Sequence, residues 1–202
     1  MKLIFENKIP QNRDAFKAKV IEIADKLNID PNWLMVVMNI ESNLNHRAVN
    51  PSSGATGLIQ FMPDTAWNQF GLSTSALKMM TNVKQLDYVY KYYRPYKNYI
   101  TDVDDMYLIT LYPNAGGKLA GTLDKPNQWA FPQYVYAANT ILDYNKDGTL
   151  TIKDIKNYVY STVPGNWKFI LKSRAVFTKF TKRNWVPISV AASFAFLLMF
   201  FF

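Results

Sequence analysis

The stretch DPNWLMVVMNIESNLNHRAVNPSSGATGLIQFMP, residues 30–63, decides how this chain is read. Asp30 followed by Pro31 is a helix start: the aspartate accepts from the orphan amides of the first turn, and proline has no amide to lose there. Leu34, Val37 and Met38 then recur at helical spacing, and Glu41 continues the series at i+7 from Leu34. An acid therefore projects from the face that its apolar neighbours mark as buried. Burial without a cationic partner disfavours the carboxylate and raises its pKa, which keeps a proton available near neutral pH. A helix-end glutamate reaching solvent fits the same spacing, because Asn43 and Asn45 show the chain turning polar. Pro51, Ser52, Ser53, Gly54 and Gly57 mark a loop, after which Pro63 and Asp64 open another helix.

Outward from this stretch the pattern stays helical. In 14–28, Phe16, Val20, Ile23 and Leu27 form one apolar stripe. Residues 75–93 read as one longer helix ending before Pro95, and Asp102 caps a helix that runs to Tyr112, where Pro113 interrupts it. Gly116, Gly117 and Gly121 mark a second loop, and Pro132 opens a helix over 134–142. No long alternation of period two and no internal repeat is present. The fold class expected is mainly α, one compact domain over 10–160.

Composition narrows the chemistry. With 202 residues, 49% hydrophobic and 19% charged, the chain can bury a core and lacks the make-up of a disordered protein. The absence of cysteine removes disulfides, thiolate zinc sites and thiol nucleophiles. His46 is the only histidine, which excludes multi-histidine metal sites; a surface position is expected for it. The net charge of +8 is lopsided: six basic and no acidic residues follow Ser161, leaving 17 basic against 15 acidic in the first 160. The body is nearly neutral, so charge gives no argument for nucleic acid.

The excess sits before a different kind of segment. Residues 161–184 read as a basic linker, and 185–202, WVPISVAASFAFLLMFFF, carry no charge. Eighteen residues of helix reach roughly 27 Å, close to the thickness of a bilayer core. Trp185 stands where an interfacial aromatic belongs, and the preceding lysines and arginines suit anionic headgroups. The expectation is a C-terminal transmembrane anchor, the alternative a buried terminal helix. At the other end only Leu3, Ile4 and Phe5 form an apolar run, too short for a secretory signal.

Glu41-Ser42, followed about fifteen residues later by Gly57-Leu58-Ile59-Gln60, resembles the goose-lysozyme-like (SLT-type) lytic transglycosylases, whose pattern is a catalytic Glu-Ser and then Gly-Leu-[Met/Ile]-Gln. Asn50-Pro51 and Ser53-Gly54-Ala55-Thr56 look like the same family, and phage virion-associated members resemble this chain. The resemblance implies a lysozyme-like α domain acting on peptidoglycan, with Glu41 catalytic and Ser42, Gln60 and Phe61 at the substrate. The Gln60 amide, with donor and acceptor, suits a sugar hydroxyl or N-acetyl group. A third family motif, Ala-Tyr-Asn-[Ala/Pro]-Gly, corresponds here to Leu111-Tyr112-Pro113-Asn114-Ala115-Gly116, in which Pro113 intrudes; it assigns Tyr112 and Asn114 to the groove. The family also places a late-helix tyrosine near the acid; Tyr134 and Tyr136 lie in the matching region, and Tyr136 is preferred. The implied chemistry has Glu41 protonate the bond between N-acetylmuramic acid and N-acetylglucosamine, then deprotonate the C6 hydroxyl to leave a 1,6-anhydro end. A hydrolytic lysozyme using a second acid, and a peptidoglycan-binding membrane protein without turnover, remain alternatives. Asp64, Asp102, Asp104 and Asp105 read as helix-start charges.

A further pattern stands at 143–154, DYNKDGTLTIKD. Asp143, Asn145 and Asp147 at loop positions 1, 3 and 5, Gly148 at 6, Thr149 at 7 and Asp154 at 12 follow the EF-hand calcium loop. The expectation is a structural Ca²⁺ brace in which aspartate replaces the usual glutamate at the last position. An anchor on a wall-opening enzyme would set it at the membrane of a phage virion or in a bacterial envelope.

Overall fold

The computed structural model describes residues 1–113 and 129–173; Asn114 and the apolar stretch 185–202 lie outside them. The order is α1 (Arg13–Leu27), α2 (Pro31–Ser42), α3 (Pro63–Phe70), α4 (Thr74–Met79), α5 (Asn82–Tyr93), α6 (Val103–Leu111), α7 (Gln133–Ala138), α8 (Ile152–Thr162) and α9 (165–173). No strand occurs among the described residues, only isolated bridges in the loops. Mainly α, as expected, the body is organised around α2. Trp33, Leu34, Met35, Val36, Val37 and Met38 are all fully buried. A helix that is apolar on every side belongs at the centre, and α1, α6 and α8 pack against it while α5 packs on α1.

Local chemistry sets the boundaries. Asp30 accepts from the Asn32 N–H with Pro31 in the first turn, and Asp102 accepts from the Asp105 N–H. The single helix expected over 75–93 is instead two. Ser73 caps α4, Met80 turns extended at ψ 158°, and the Thr81 hydroxyl accepts from the Lys84 N–H to start α5. The helix expected over 134–142 likewise breaks after Ala138, continuing as a 3-10 turn at Thr140–Leu142.

The folded body also exceeds the boundaries 10–160 at both ends. Leu3, Ile4 and Ile9 are buried in the core. The Ile4 N–H donates to Asn32 Oδ1 at 2.9 Å, and Lys8 Nζ donates to Asn39 Oδ1 and Asn43 Oδ1 at 2.7 and 2.9 Å. The first residues thus strap the central helix. Beyond 160, the expected linker begins as folded structure: α9 sends Leu171 into the core. Among the described residues no helix is long and apolar enough to cross a membrane.

Candidate active site

Glu41 lies in the last turn of α2, where the helix leaves the core. Asn43 and Leu44 follow it in left-handed conformation at φ 52° and 61°, and their N–H groups bond back to Asn39 and Met38 carbonyls. This closes the helix. The neighbouring Ser42 Oγ donates to Met38 O and to Leu58 O, both at 3.0 Å. Ser42 therefore fastens the acid-bearing helix end to the 57–60 loop.

That loop is held from behind by a residue the sequence reading passed over. Gln85 is fully buried on α5; its Oε1 accepts from the Leu58 N–H at 2.6 Å, and its Nε2 donates to His46 O and Leu77 O at 2.9 and 3.0 Å. Gly57 leaves room for this amide. It has φ 89°, and a Cβ there would lie 2.5 Å from Gln85 Oε1. Gly57→Ala is expected to cost about 2–4 kcal/mol through left-handed strain and overpacking, a fall in Tm of roughly 5–15 °C for a domain of this size. A thermal melt followed by circular dichroism checks it.

The Gln60 Nε2 donates to Gly57 O at 3.0 Å, with Gln60 itself at φ 51°. The donor that the sequence offered to a sugar is thus turned onto the loop's own carbonyl. Phe61 is only 2% exposed and packs edge-on to Phe70 and Tyr92 at 5.7 and 6.1 Å. It backs the site and does not line it, because its ring belongs to the core beneath the loop. His46, expected at the surface, is buried too: its Nε2 lies 3.2 Å from Gln11 Nε2, and burial first, then Arg47, lowers its pKa.

The surroundings of Glu41 determine what it can do. It is half-buried, and burial pushes its pKa up to about 7; among the described residues no cation offsets the shift and no other carboxylate contributes to it. The Glu41 charge is felt by Tyr92 and Tyr93 on α5, Tyr107 on α6 and Tyr158 on α8, whose phenols are raised first by their own burial. Tyr92 donates to Ile109 O at 3.1 Å, and the Tyr93 hydroxyl bonds with Thr110 Oγ1 at 2.5 Å. Tyr107 and Tyr158 face each other at 6.2 Å between ring centroids. A carboxyl raised to about 7 is present in both forms near neutral pH and can both give and take a proton.

These tyrosines were missed. Val89, Tyr92 and Tyr93 form a buried stripe at i, i+3 and i+4, which in sequence signals only a core. Tyr158 lies more than a hundred residues from Glu41, and only the packing of α8 on α2 brings it near. Tyr158 is thus a late-helix ring that senses the Glu41 charge, and Tyr136 sits half-buried against the core on α7. Tyr112 closes α6 and its hydroxyl meets that of Tyr134 at 2.9 Å. Its ring stands edge-on to Phe131, giving an aromatic wall beyond the end of α6.

At 143–154 the backbone wraps around its own oxygens. Asp143 Oδ2 accepts from the Gly148 N–H at 2.9 Å, Asp147 Oδ1 from the Thr149 N–H at 2.9 Å, and Asn145 Nδ2 donates to Asp147 Oδ2 at 2.8 Å. Gly148 takes φ 85° at the sharp turn. Asp154 is buried and accepts from the Thr151 N–H and hydroxyl, forming a capping box at the start of α8. Positions 1, 3 and 5 thus gather on the inside of the loop, whereas position 12 is engaged by its own helix. Among the described residues no three His, Cys, Asp or Glu side chains are grouped to hold a metal ion.

Residues 19–118 match the family described as the Transglycosylase SLT domain. No curated protein and no solved structure matches the chain. The matched segment contains Glu41, Ser42, the 57–60 loop and the rings of Tyr92, Tyr93 and Tyr107; Tyr158 and the 143–154 loop fall beyond it. Over residues 19–118, just under half of its length, the chain is therefore similar to the SLT transglycosylase domain.

Proposed function

We propose that the protein is a lytic transglycosylase that cleaves peptidoglycan at the β-1,4 bond between N-acetylmuramic acid and N-acetylglucosamine, with Glu41 as its one catalytic carboxyl. The observation that carries this reading is a partly buried acid, raised to about 7 by burial, in a segment similar to this family. Among the described residues no second carboxylate, which ordinary glycosidases use, shifts the titration of Glu41: Asp64 is exposed, and Asp102 and Asp105 cap and brace the start of α6. Protonated Glu41 donates to the glycosidic oxygen as the bond to muramic C1 breaks. The resulting carboxylate then takes the proton of the C6 hydroxyl, whose oxygen bonds to C1 and closes the 1,6-anhydro ring. Each proton given is recovered, and no water is consumed. Tyr112, with Asn114, Tyr136 and the 57–60 loop, supplies groove contacts, and Ser42 positions the helix end. Mass spectrometry of digested peptidoglycan tests the outcome: anhydro ends are expected, and reducing muramic ends would make the enzyme a hydrolytic lysozyme.

The same reading holds the enzyme at a membrane through 185–202, in the membrane of a phage virion or in a bacterial envelope. It also makes 143–154 a Ca²⁺ brace, with Asp143, Asn145, Asp147 and the Thr149 carbonyl as ligands and Asp154 joining once it releases Thr151. Oxygen donors at these positions fit a hard cation. Calcium at a hundredfold excess over its Kd stabilises by about 2.7 kcal/mol, so Tm after chelation is expected to rise by roughly 5–10 °C when Ca²⁺ is restored. An unchanged Tm removes the brace.

A further inference from the structure

The helix α9 has a face that a helix on a water-facing domain does not need. Leu171 is fully buried and Trp167, one turn earlier, packs against the core, so this pair defines the inward seam. At 100° per residue Phe169 projects to the opposite side, and it is 71% exposed. Ile170 beside it is also exposed. Lys168 and Lys172 flank the phenylalanine on the remaining side, Lys172 with its ammonium 5.5 Å from the Tyr160 ring. An outermost aromatic with an apolar neighbour on one side and two lysines on the other is the arrangement of an interfacial helix, which sinks an apolar edge into the headgroup boundary while its cations meet lipid phosphate.

We infer that the outer face of α9 docks on an anionic lipid bilayer, with Phe169 and Ile170 entering the headgroup region and Lys168 and Lys172 pairing with phosphate. Two features favour lipid over a protein partner. From Ser161 to the end every charged residue is basic, and the chain continues from α9 through Arg174, Lys179, Lys182 and Arg183 into the uncharged 185–202. A surface joined to such a tail is delivered to a bilayer with its cations already facing the lipid. The inference rests on the membrane reading of that tail and is independent of catalysis. It makes α9 the plane on which the folded domain lies and fixes the orientation of Glu41 to the bilayer.

The natural absence of cysteine allows single spin labels in the full chain. Phe169→Cys and, as control, Ser75→Cys on α4 are labelled and mixed with vesicles of phosphatidylcholine and phosphatidylglycerol. Power saturation then reads exposure to oxygen, which partitions into lipid, against a water-soluble nickel chelate. The label at 169 is expected to lose at least about threefold of its nickel accessibility and gain oxygen accessibility on vesicles, with the label at 75 unchanged. Adding Lys168→Gln and Lys172→Gln is expected to return the 169 label towards water while the protein still sediments with the vesicles. A 169 label that remains as nickel-accessible as the 75 label on sedimented vesicles overturns the docking face and leaves the anchor standing. Protection already present without lipid assigns the face to the tail or to a second copy and overturns it as well. A chain that stays in the supernatant removes both anchor and docking face; peptidoglycan cleavage by the same samples is read separately.

Discussion

Glu41→Gln is expected to lower peptidoglycan cleavage by about a hundredfold to ten-thousandfold, the usual contribution of a general acid–base group, while sedimentation with intact wall material persists. Glutamine keeps the shape and removes the transferable proton. Unchanged lysis would reject the catalytic role, and loss of binding along with cleavage would point to a collapsed groove. The substitution also has a stability signature. The unfolded carboxyl ionises near 4.5 and the folded one at about 7. Between those values the folded state holds more protons, so stability is greatest below the unfolded pKa and falls as pH rises through the window, levelling off above it. A shift of this size corresponds to about 3 kcal/mol. The variant should lack this slope and, at pH 8, melt roughly 5–10 °C above the parent. Turnover by the parent should decline as pH passes 7, because the reaction begins with the protonated acid. Melts and initial rates across pH 4–9 check both signs.

Gln85→Leu is the second large effect. It leaves the Leu58 N–H and the carbonyls of His46 and Leu77 without their shared partner. Each unsatisfied buried group costs about 1–3 kcal/mol, so a loss on the order of 3–5 kcal/mol is expected, with the 57–60 loop released from α5. Gln85→Glu provides the contrast. It keeps the acceptor for Leu58 but cannot donate to two carbonyls when ionised, and it should recover stability as pH falls and the side chain protonates. Denaturant unfolding of both variants measures the difference. Equal stability of Gln85→Leu and the parent would remove Gln85 as the clamp.

What the sequence revealed follows from how local each cause is. The start of α2 was legible because Asp30 and Pro31 act within one turn. Glu41 was legible because an acid broke an apolar series and a second motif followed at fixed distance. The break between α4 and α5 was hidden by helical spacing that runs through it; only the capping hydroxyl of Thr81 marks the restart. Gln85 carried a usable sign, since Asn82 and Gln85 interrupt the buried stripe of Leu86, Val89 and Tyr93 with polar groups that must find partners. Its partners, however, lie on other segments. The tyrosines that sense the Glu41 charge could not be read locally, because α5, α6 and α8 each contribute rings that look like ordinary core. His46 was misplaced for a similar reason: a polar residue in a loop reads as solvated until Gln11 is seen to cover it.

The strap formed by the first residues has a consequence for where the domain's autonomy ends. Leu3, Ile4 and Lys8 clasp the central helix from one side, and Tyr158 approaches its last turn from the other, yet both contributions come from outside residues 19–118. The matched segment is therefore completed by its own flanks: excised at the edges of family similarity, it would present bare apolar seams to water and an acid without one of the four phenols that sense its charge.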